Sequence, residues 1–405
     1  MGLFGALGLL GAAGCVAGPV EDTATAVTGA AAAISAAADS LRVPAATAPL
    51  PAAQPAEWET LSMGLPEEYR LGPVIGFRYN RVDGPAPTVG LSVRNEVDPL
   101  PLLRAQATVA ISRERLLAEF AADVPIGRAR TVTIGGSIYR RTASEDAWIV
   151  SEFENSLFAL LSRKDYLDYY EAEGFEGHLS VTPGRDAGFS AGARLEDQNP
   201  LDVETRVAAW GVDDLFRANP AIERGEEGLV WAAVRVGPAV LPPKGGSRII
   251  VRYERAGAPI ERDFDYGRIR IQGNLRQRLS PGQGFRARAI LGSTRSGSLP
   301  AQKIWDLGGI GTLRGEPFKS QSGDQFYLMN AEYSYLFRKN LNALLFVDWG
   351  AAWFGRGAWG ESRPALDGGI GLRVAEGPLT LTLARNLQRS DAPLLVGFRI
   401  GGSWE

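Results

Sequence analysis

From about residue 70 onward, apolar and polar positions alternate with a period of two. In GRIRIQGNLRQRL (267–279), Ile269, Ile271 and Leu275 share one side, and Arg268, Arg270, Gln272, Asn274, Arg276 and Arg278 share the other. SRIIVRYER (247–255) sets Ile249, Val251 and Tyr253 against Arg248, Arg252 and Glu254. GFRARAIL (284–291), LLRAQATVAIS (102–112), FSAGARLE (189–196) and LVGFRIG (395–401) repeat the pattern. This periodicity predicts β-strands with one apolar face. About sixteen such segments occur, many of them about nine to eleven residues long, which is enough for a tilted strand to cross a bilayer. They cover 73–82, 88–97, 102–112, 115–124, 129–142, 175–183, 189–196, 228–237, 247–256, 265–279, 284–293, 324–337, 343–354, 366–374, 378–387 and 393–403.

The connections alternate too. After even-numbered segments they are short and rich in turn residues, such as TPGRDAG, SPGQG and FRKN, while several after odd-numbered segments are long (143–174, 197–227, 294–323 and 355–365). Transmembrane barrels show this asymmetry, with tight turns on the periplasmic side and longer loops outside. A soluble sandwich has no reason to sort its loops by parity. The arginines then line a wet lumen, where guanidinium groups stay hydrated or pair with carboxylates. Tyr79, Tyr253, Tyr333, Tyr335, Phe337, Trp349 and Trp353 lie near strand ends, as interfacial girdles require. The loop 143–174 loses the two-residue period. Asp146 is its predicted helix cap, and Trp148, Phe153, Leu157, Leu160 and Leu161 have roughly helical spacing. That predicts a helix-bearing outside loop at the barrel mouth, with its acids and tyrosines on a solvated face.

Composition narrows the chemistry. The 405 residues carry a net charge of −3, without the basic excess that nucleic-acid binding favours. One cysteine, Cys15, forms no internal disulfide, and one histidine, His178, leaves no His-rich metal cluster. His178 falls on the polar face of its segment, beside Glu176 and Ser180, which suits a lumen position. No cofactor, metal site or covalent catalysis is expected. Residues 1–20 predict a signal or lipoprotein segment, with Cys15 after Ala12-Ala13-Gly14. Residues 21–68 have an Ala/Pro-rich linker composition, and 69–405 form the barrel domain. The linker leaves no room for a folded module before the barrel.

The stretch Gly308–Phe318, GGIGTLRGEPF, looks at first like a phosphate loop. Its context excludes that reading: no helix opens after it, and no Walker lysine is in place. It lies instead in the long connection between the eleventh and twelfth predicted strands. NAEYSYLF (330–337) and FVDWGAAW (346–353) follow it. The order LGG, LRG, NAEY, F-x-D-x-G over about 305–405 resembles the BamA/TamA/FhaC superfamily of outer-membrane barrels, also called bacterial surface antigens. That resemblance implies an all-β, sixteen-stranded antiparallel transmembrane barrel whose loop folds back into the lumen. It implies that Leu313, Arg314, Gly315 and Phe318 form the lumen-loop motif, and that Arg314 meets Glu332 and Asp348 on the inner wall. Strand parity places Asn330, Glu332 and Asp348 opposite the aromatics, hence inward.

This chain departs from the pattern. Glu316 stands where the family places an aromatic, with Phe318 as the replacement contact, and residues 21–68 are not expected to hold POTRA modules. Phe398, Ile400 and Trp404 supply the closing apolar alternation. The resemblance implies a bacterial outer-membrane location. It implies a role in outer-membrane protein insertion, assembly or translocation, through a seam between Pro73–Val82 and Pro393–Ser403. The implied partners are the outer-membrane lipid bilayer and other outer-membrane or periplasmic accessory proteins, with no nucleic acid. Two alternatives remain open on the residues alone: a passive pore or structural barrel, and a soluble β-rich binding protein.

Overall fold

The computed structural model describes residues 69–95, 101–126, 131–209, 215–358, 362–374 and 379–400. The expected signal segment with Cys15, the linker up to residue 68, and Trp404 lie outside these. Strands β1 (Tyr69–Asn80), β2 (Gly84–Asn95), β3 (Pro101–Ala110), β4 (Arg115–Ile126) and β5 (Val132–Ala143) come first. A loop carrying helix α1 (Glu152–Ser162) leads to β6 (Tyr170–Gly184), β7 (Ala187–Pro200), β8 (Gly225–Val236), β9 (Gly245–Ala256), β10 (Tyr266–Ser280) and β11 (Gln283–Gly297). Two short strands, β12 (Trp305–Leu307) and β13 (Gln321–Gly323), pair with each other within the next long connection. Then follow β14 (Gln325–Arg338), β15 (Leu341–Trp353), β16 (Ala365–Val374), β17 (Leu379–Asn386) and β18 (Leu395–Ile400). Leaving out the β12–β13 pair, the others form one 16-stranded sheet in chain order, antiparallel throughout, which is the wall of a barrel.

Alternation decides what each face does. Leu275, Leu279, Leu291, Val347 and Ile370 are exposed on the outer face. Arg268, Arg288, Asn330, Glu332, Asp348 and Asp367 are buried on the inner one. A water-soluble sheet has the opposite arrangement. An apolar belt outside and a polar wall inside suit a barrel solvated by lipid, and only a closed ring of strands or a helix satisfies its backbone there. Among the described residues no helix is long and apolar enough to cross a membrane.

Among the described residues each of the sixteen expected segments coincides with a strand, but several strands run further than the apolar alternation. β6 and β7 extend to Tyr170 and Pro200, and β11 extends to Gly297. These extensions lie at the long-loop end, beyond the apolar belt, where Glu171, Glu173, Glu196 and Asp197 carry no lipid signature. From β5 onward the long connections all leave that end, whereas the first two there, 81–83 and 111–114, are as short as the turns opposite.

The long connections fold inward and build a core inside the barrel. Trp305, Leu307 and Leu313 pack there with Leu229, Tyr266, Phe326 and Leu328 of the wall. Three expectations fail at this end. Ser151, not Asp146, caps α1, its hydroxyl accepting from the Glu154 N–H at 3.2 Å. Asp146 sits inside a preceding 3-10 turn, Glu145–Trp148, whose cap is Ser144. The acids and tyrosines of this loop are not a solvated face: Glu154, Asp165, Tyr169 and Tyr170 are buried and partnered. Tyr79 is no girdle residue either. It packs against Ala159 and Phe216, because α1 and the β7–β8 loop cover the end of β1.

Candidate functional site

The loop between β11 and β14 is shaped by its glycines before any charge acts. Gly308, Gly309 and Gly311 all have positive φ, at 117°, 77° and 81°. The tight coil is held by the Gly309 N–H on the Leu313 carbonyl at 2.8 Å and by the Gly308 N–H on the Thr312 hydroxyl at 2.9 Å. The coil seats Leu313 in the interior core and aims Arg314 at the wall. Gly315 follows where only glycine fits, since a Cβ there would lie 2.5 Å from the backbone carbon of Arg385.

Arg314 grips Asp348 of β15 in a fork. Its Nε and one terminal nitrogen each donate to a separate carboxylate oxygen at 2.7 Å. The Arg314 backbone N–H adds a third bond at 3.2 Å. Glu332 of β14 lies 3.5 Å from the other terminal nitrogen. The guanidinium also lies 3.5 Å from the centre of the Phe346 ring. Planar, bidentate contact of this kind is specific to arginine. The Asp348 carboxylate is fully buried, and Asn330 holds it in place with a 2.8 Å bond.

The contact continues along four neighbouring wall strands. The Gly315 N–H donates to Asp367 of β16 at 2.8 Å. Glu316, buried, accepts from Asn386 of β17 at 2.7 Å and from Arg389 at 3.0 Å. Glu316 therefore serves as one more anchor at the position where an aromatic was expected. The aromatic Phe318 points the other way: its ring meets Tyr166 edge-on at 5.0 Å, with Arg217 above it. Arg373 of β16 reaches Glu332 at 2.7 Å. Sequence reasoning missed Asn330 as the orienting amide, as well as Phe346, Asp367, Arg373 and Asn386. A signal existed for Asp367: it is the cross-strand partner of Asp348 and shares its face.

A second set of ion pairs ties the lumen loop to the outside loop. Lys319 lies 2.8 Å from Asp146, 2.5 Å from Asp168 and 3.0 Å from Asp306. Burial pushes the Asp146 carboxyl up to about 6, against the pull of Lys319. The Lys319 ammonium is held above its ordinary range, because its three carboxylates outweigh its burial. Lys303 pairs with Glu145 at 2.6 Å, and Glu145 also meets Arg268 at 2.9 Å.

Helix α1 then reaches both ends of the sheet. The Tyr79 N–H of β1 donates to the Ser156 hydroxyl at 3.0 Å. Glu154 accepts from the Arg399 guanidinium at 3.2 and 2.9 Å and from the Ile400 N–H of β18 at 2.8 Å. Phe158 stands edge-on to Phe398 at 6.1 Å and to Tyr166 at 5.5 Å. Since Tyr166 touches Phe318, a line of rings connects the lumen loop to the last strand.

Comparison with known proteins bears on the fold. No protein-family model matches the chain, and no curated protein matches it by sequence. Among solved structures, BamA from Haemophilus ducreyi lacking POTRA domains 1–3 is similar, at 14% identity and a TM-score of 0.55, over 81% of this chain and 69% of that one. CdiB from Acinetobacter baumannii matches at 16% identity and a TM-score of 0.44, over 83% of this chain and 60% of that one. CdiB from Escherichia coli matches at 16% and 0.42, over 83% and 62%. The first likeness establishes the fold as a BamA-like barrel of sixteen strands.

Proposed function

We propose that the protein is an outer-membrane barrel that takes part in the insertion, assembly or translocation of outer-membrane polypeptides, without covalent chemistry. The Arg314 latch carries this reading. A passive pore benefits from an open lumen and gains nothing from a loop pinned across it. Burying an ion pair brings little net stability over apolar packing, because desolvation cancels much of the attraction. What such a pair supplies is registry: one loop position is satisfied, and every displaced one leaves a buried charge alone. A latched loop gives the barrel a defined closed state that a client can displace. The motif order around Arg314, and its resemblance to the BamA/TamA/FhaC superfamily, support the same role. The partners are then the bilayer, client barrels and periplasmic accessory proteins.

The test uses purified full-length protein in liposomes, with a urea-denatured barrel protein added as client. Faster client folding than in empty liposomes is the expected result, with the gain reduced by Arg314→Ala. Steady ion conductance with no acceleration, even with periplasmic partners supplied, would establish the passive pore instead.

A further inference from the structure

The lipid-facing surface carries two dents that differ in one respect. The first lies over β2–β6. Val89, Ala107, Ala118, Arg140 and Glu173 form one outward row across these strands, and Leu91, Ala105, Phe120, Ile138 and Phe175 form the next. The three alanines leave a groove of about 860 Å³ among the exposed Leu91, Leu116, Phe120 and Ile138. Small-molecule sites occupy about 300–1,000 Å³, so the groove is large enough for one ligand. The second dent lies over β9–β11 and β14–β15 and measures about 390 Å³. Its outward-facing residues, among them Ile249, Leu275, Met329, Val347 and Trp349, are all apolar.

Of the two, the first alone ends in charge. Arg140 lies near the end of β5 at Ala143, and Glu173 lies near the start of β6 at Tyr170, so both face outward at the long-loop edge of the apolar belt. The Arg140 Nε donates to Glu173 at 2.7 Å, and the two side chains are 37% and 50% exposed. Such a pair is costly against acyl chains and is tolerated at headgroup depth. The wall also parts here. The β4–β5 ladder starts at Ala118↔Arg140, although β4 begins at Arg115 and β5 runs to Ala143. Above that point Arg113 and Arg115 reach across to Glu171 of β6, at 2.9 and 3.4 Å. They line a polar cleft of about 340 Å³ together with Ser112, Glu114, Glu171 and Glu204. Arg140 joins the groove to the cleft, its Nε lying 3.9 Å from Glu171.

The geometry points to this groove and cleft as a binding site for one zwitterionic phospholipid of the phosphatidylethanolamine class. An acyl chain lies over Ala105, Ala107 and Ala118, the phosphate meets Arg140, and the primary ammonium meets Glu173. Arginine suits the phosphate because its planar fork can donate to two phosphate oxygens. Charge selects the headgroup. Arg113, Arg115 and Arg140 stand among Glu114, Glu171, Glu173 and Glu204, so cations and acids are mixed around the site. A headgroup with net negative charge gains from the arginines but is repelled by the glutamates, whereas a phosphate and an ammonium together match both. The inference stands apart from the function proposed above, because a passive barrel with this outer face would hold the same lipid.

Native mass spectrometry of the full-length protein, in detergent with equimolar phosphatidylethanolamine, phosphatidylglycerol and lipid A, reads the site. One phosphatidylethanolamine adduct should persist at activation energies that strip the other two lipids. Arg140→Gln should reduce that adduct by about tenfold. Glu173→Gln should let phosphatidylglycerol compete on equal terms, since the repelling acid is gone. Filling the groove with Ala107→Leu and Ala118→Leu should remove the adduct while both charged side chains stay in place. Ala289→Leu, in the second dent, should leave it unchanged. Heat-modifiable gel mobility shows that each variant is folded. If Arg140→Gln fails that check, the alanine variants, which break no ion pair, decide. Equal retention of all three lipids, selective retention of phosphatidylglycerol or lipid A, or an adduct insensitive to the filled groove would overturn the site.

Discussion

Replacing Arg314 by alanine leaves Asp348 and Glu332 buried with their shared cation gone. Breaking a buried pair by removing one partner costs about 3–5 kcal/mol, so Arg314→Ala should lower the barrel's stability by that order in lipid. Denaturant titration followed by the boiled/unboiled gel shift measures it. Protease access to 294–323 should rise in parallel, and unchanged behaviour in both would remove the latch from the account. Arg314→Lys should recover only part of the loss, since an ammonium cannot fork onto both Asp348 oxygens. Asp146 makes a pH prediction. Its carboxyl titrates at about 6 in the fold against an ordinary 3.8, and Lys319, Asp168 and Asp306 are the charged groups that face it. A raised carboxyl favours the folded state in its protonated form. Its contribution is therefore fully present below about pH 4 and is lost as pH rises through 6. Hydrogen exchange in 144–169 should quicken across that window in the wild type and stay flat in Asp146→Asn. Slower exchange with rising pH would mean that the Lys319 pair outweighs burial.

Helix α1 shows what an element can do that its own sequence does not announce. Its apolar spacing predicted a helix in the right loop, yet its polar residues do the joining. Glu154 and Ser156 supply acceptors to N–H groups of β18 and β1, on residues 246 and 77 positions away along the chain. Glu154→Ala should cost about 1–3 kcal/mol locally, because it strands both the Ile400 N–H and the Arg399 guanidinium. Amide exchange at Ile400 reads the loss directly; protection equal to wild type there would mean that Glu154 does not hold the end of β18. Glu154 reads in sequence as an ordinary first-turn acid. Nothing local separates it from Glu152, since only the path of the loop brings β18 beside it. The strands were far more legible, because lipid on one side and polar lumen on the other impose the period at every step. That legibility faded where β6, β7 and β11 leave the apolar belt, since neither face there meets lipid.

At the scale of the whole molecule, the outer belt should meet lipid and the interior core should not. In single-tryptophan variants, Trp349 on the outer face should be quenched by brominated lipid, and Trp305 in the interior core should be spared. Equal quenching would contradict the assignment of the two faces.

The alternating pattern by itself determined the strand count, the antiparallel order and the inward face with Glu332 and Asp348 on it, while the lumen position of Arg314 came from the resemblance carried by its loop motif. It could do so because a strand's period is geometric and a membrane enforces it on every strand alike. Tertiary structure alone decided that Asp348 takes the fork while Glu332 stays at 3.5 Å, and that Glu316 anchors to β17. It also decided that Phe318 turns to the outside loop and that α1 joins the two ends of the sheet. These contacts lie between segments far apart in the chain, and their partners depend on where a glycine-shaped loop comes to rest, which no local period records.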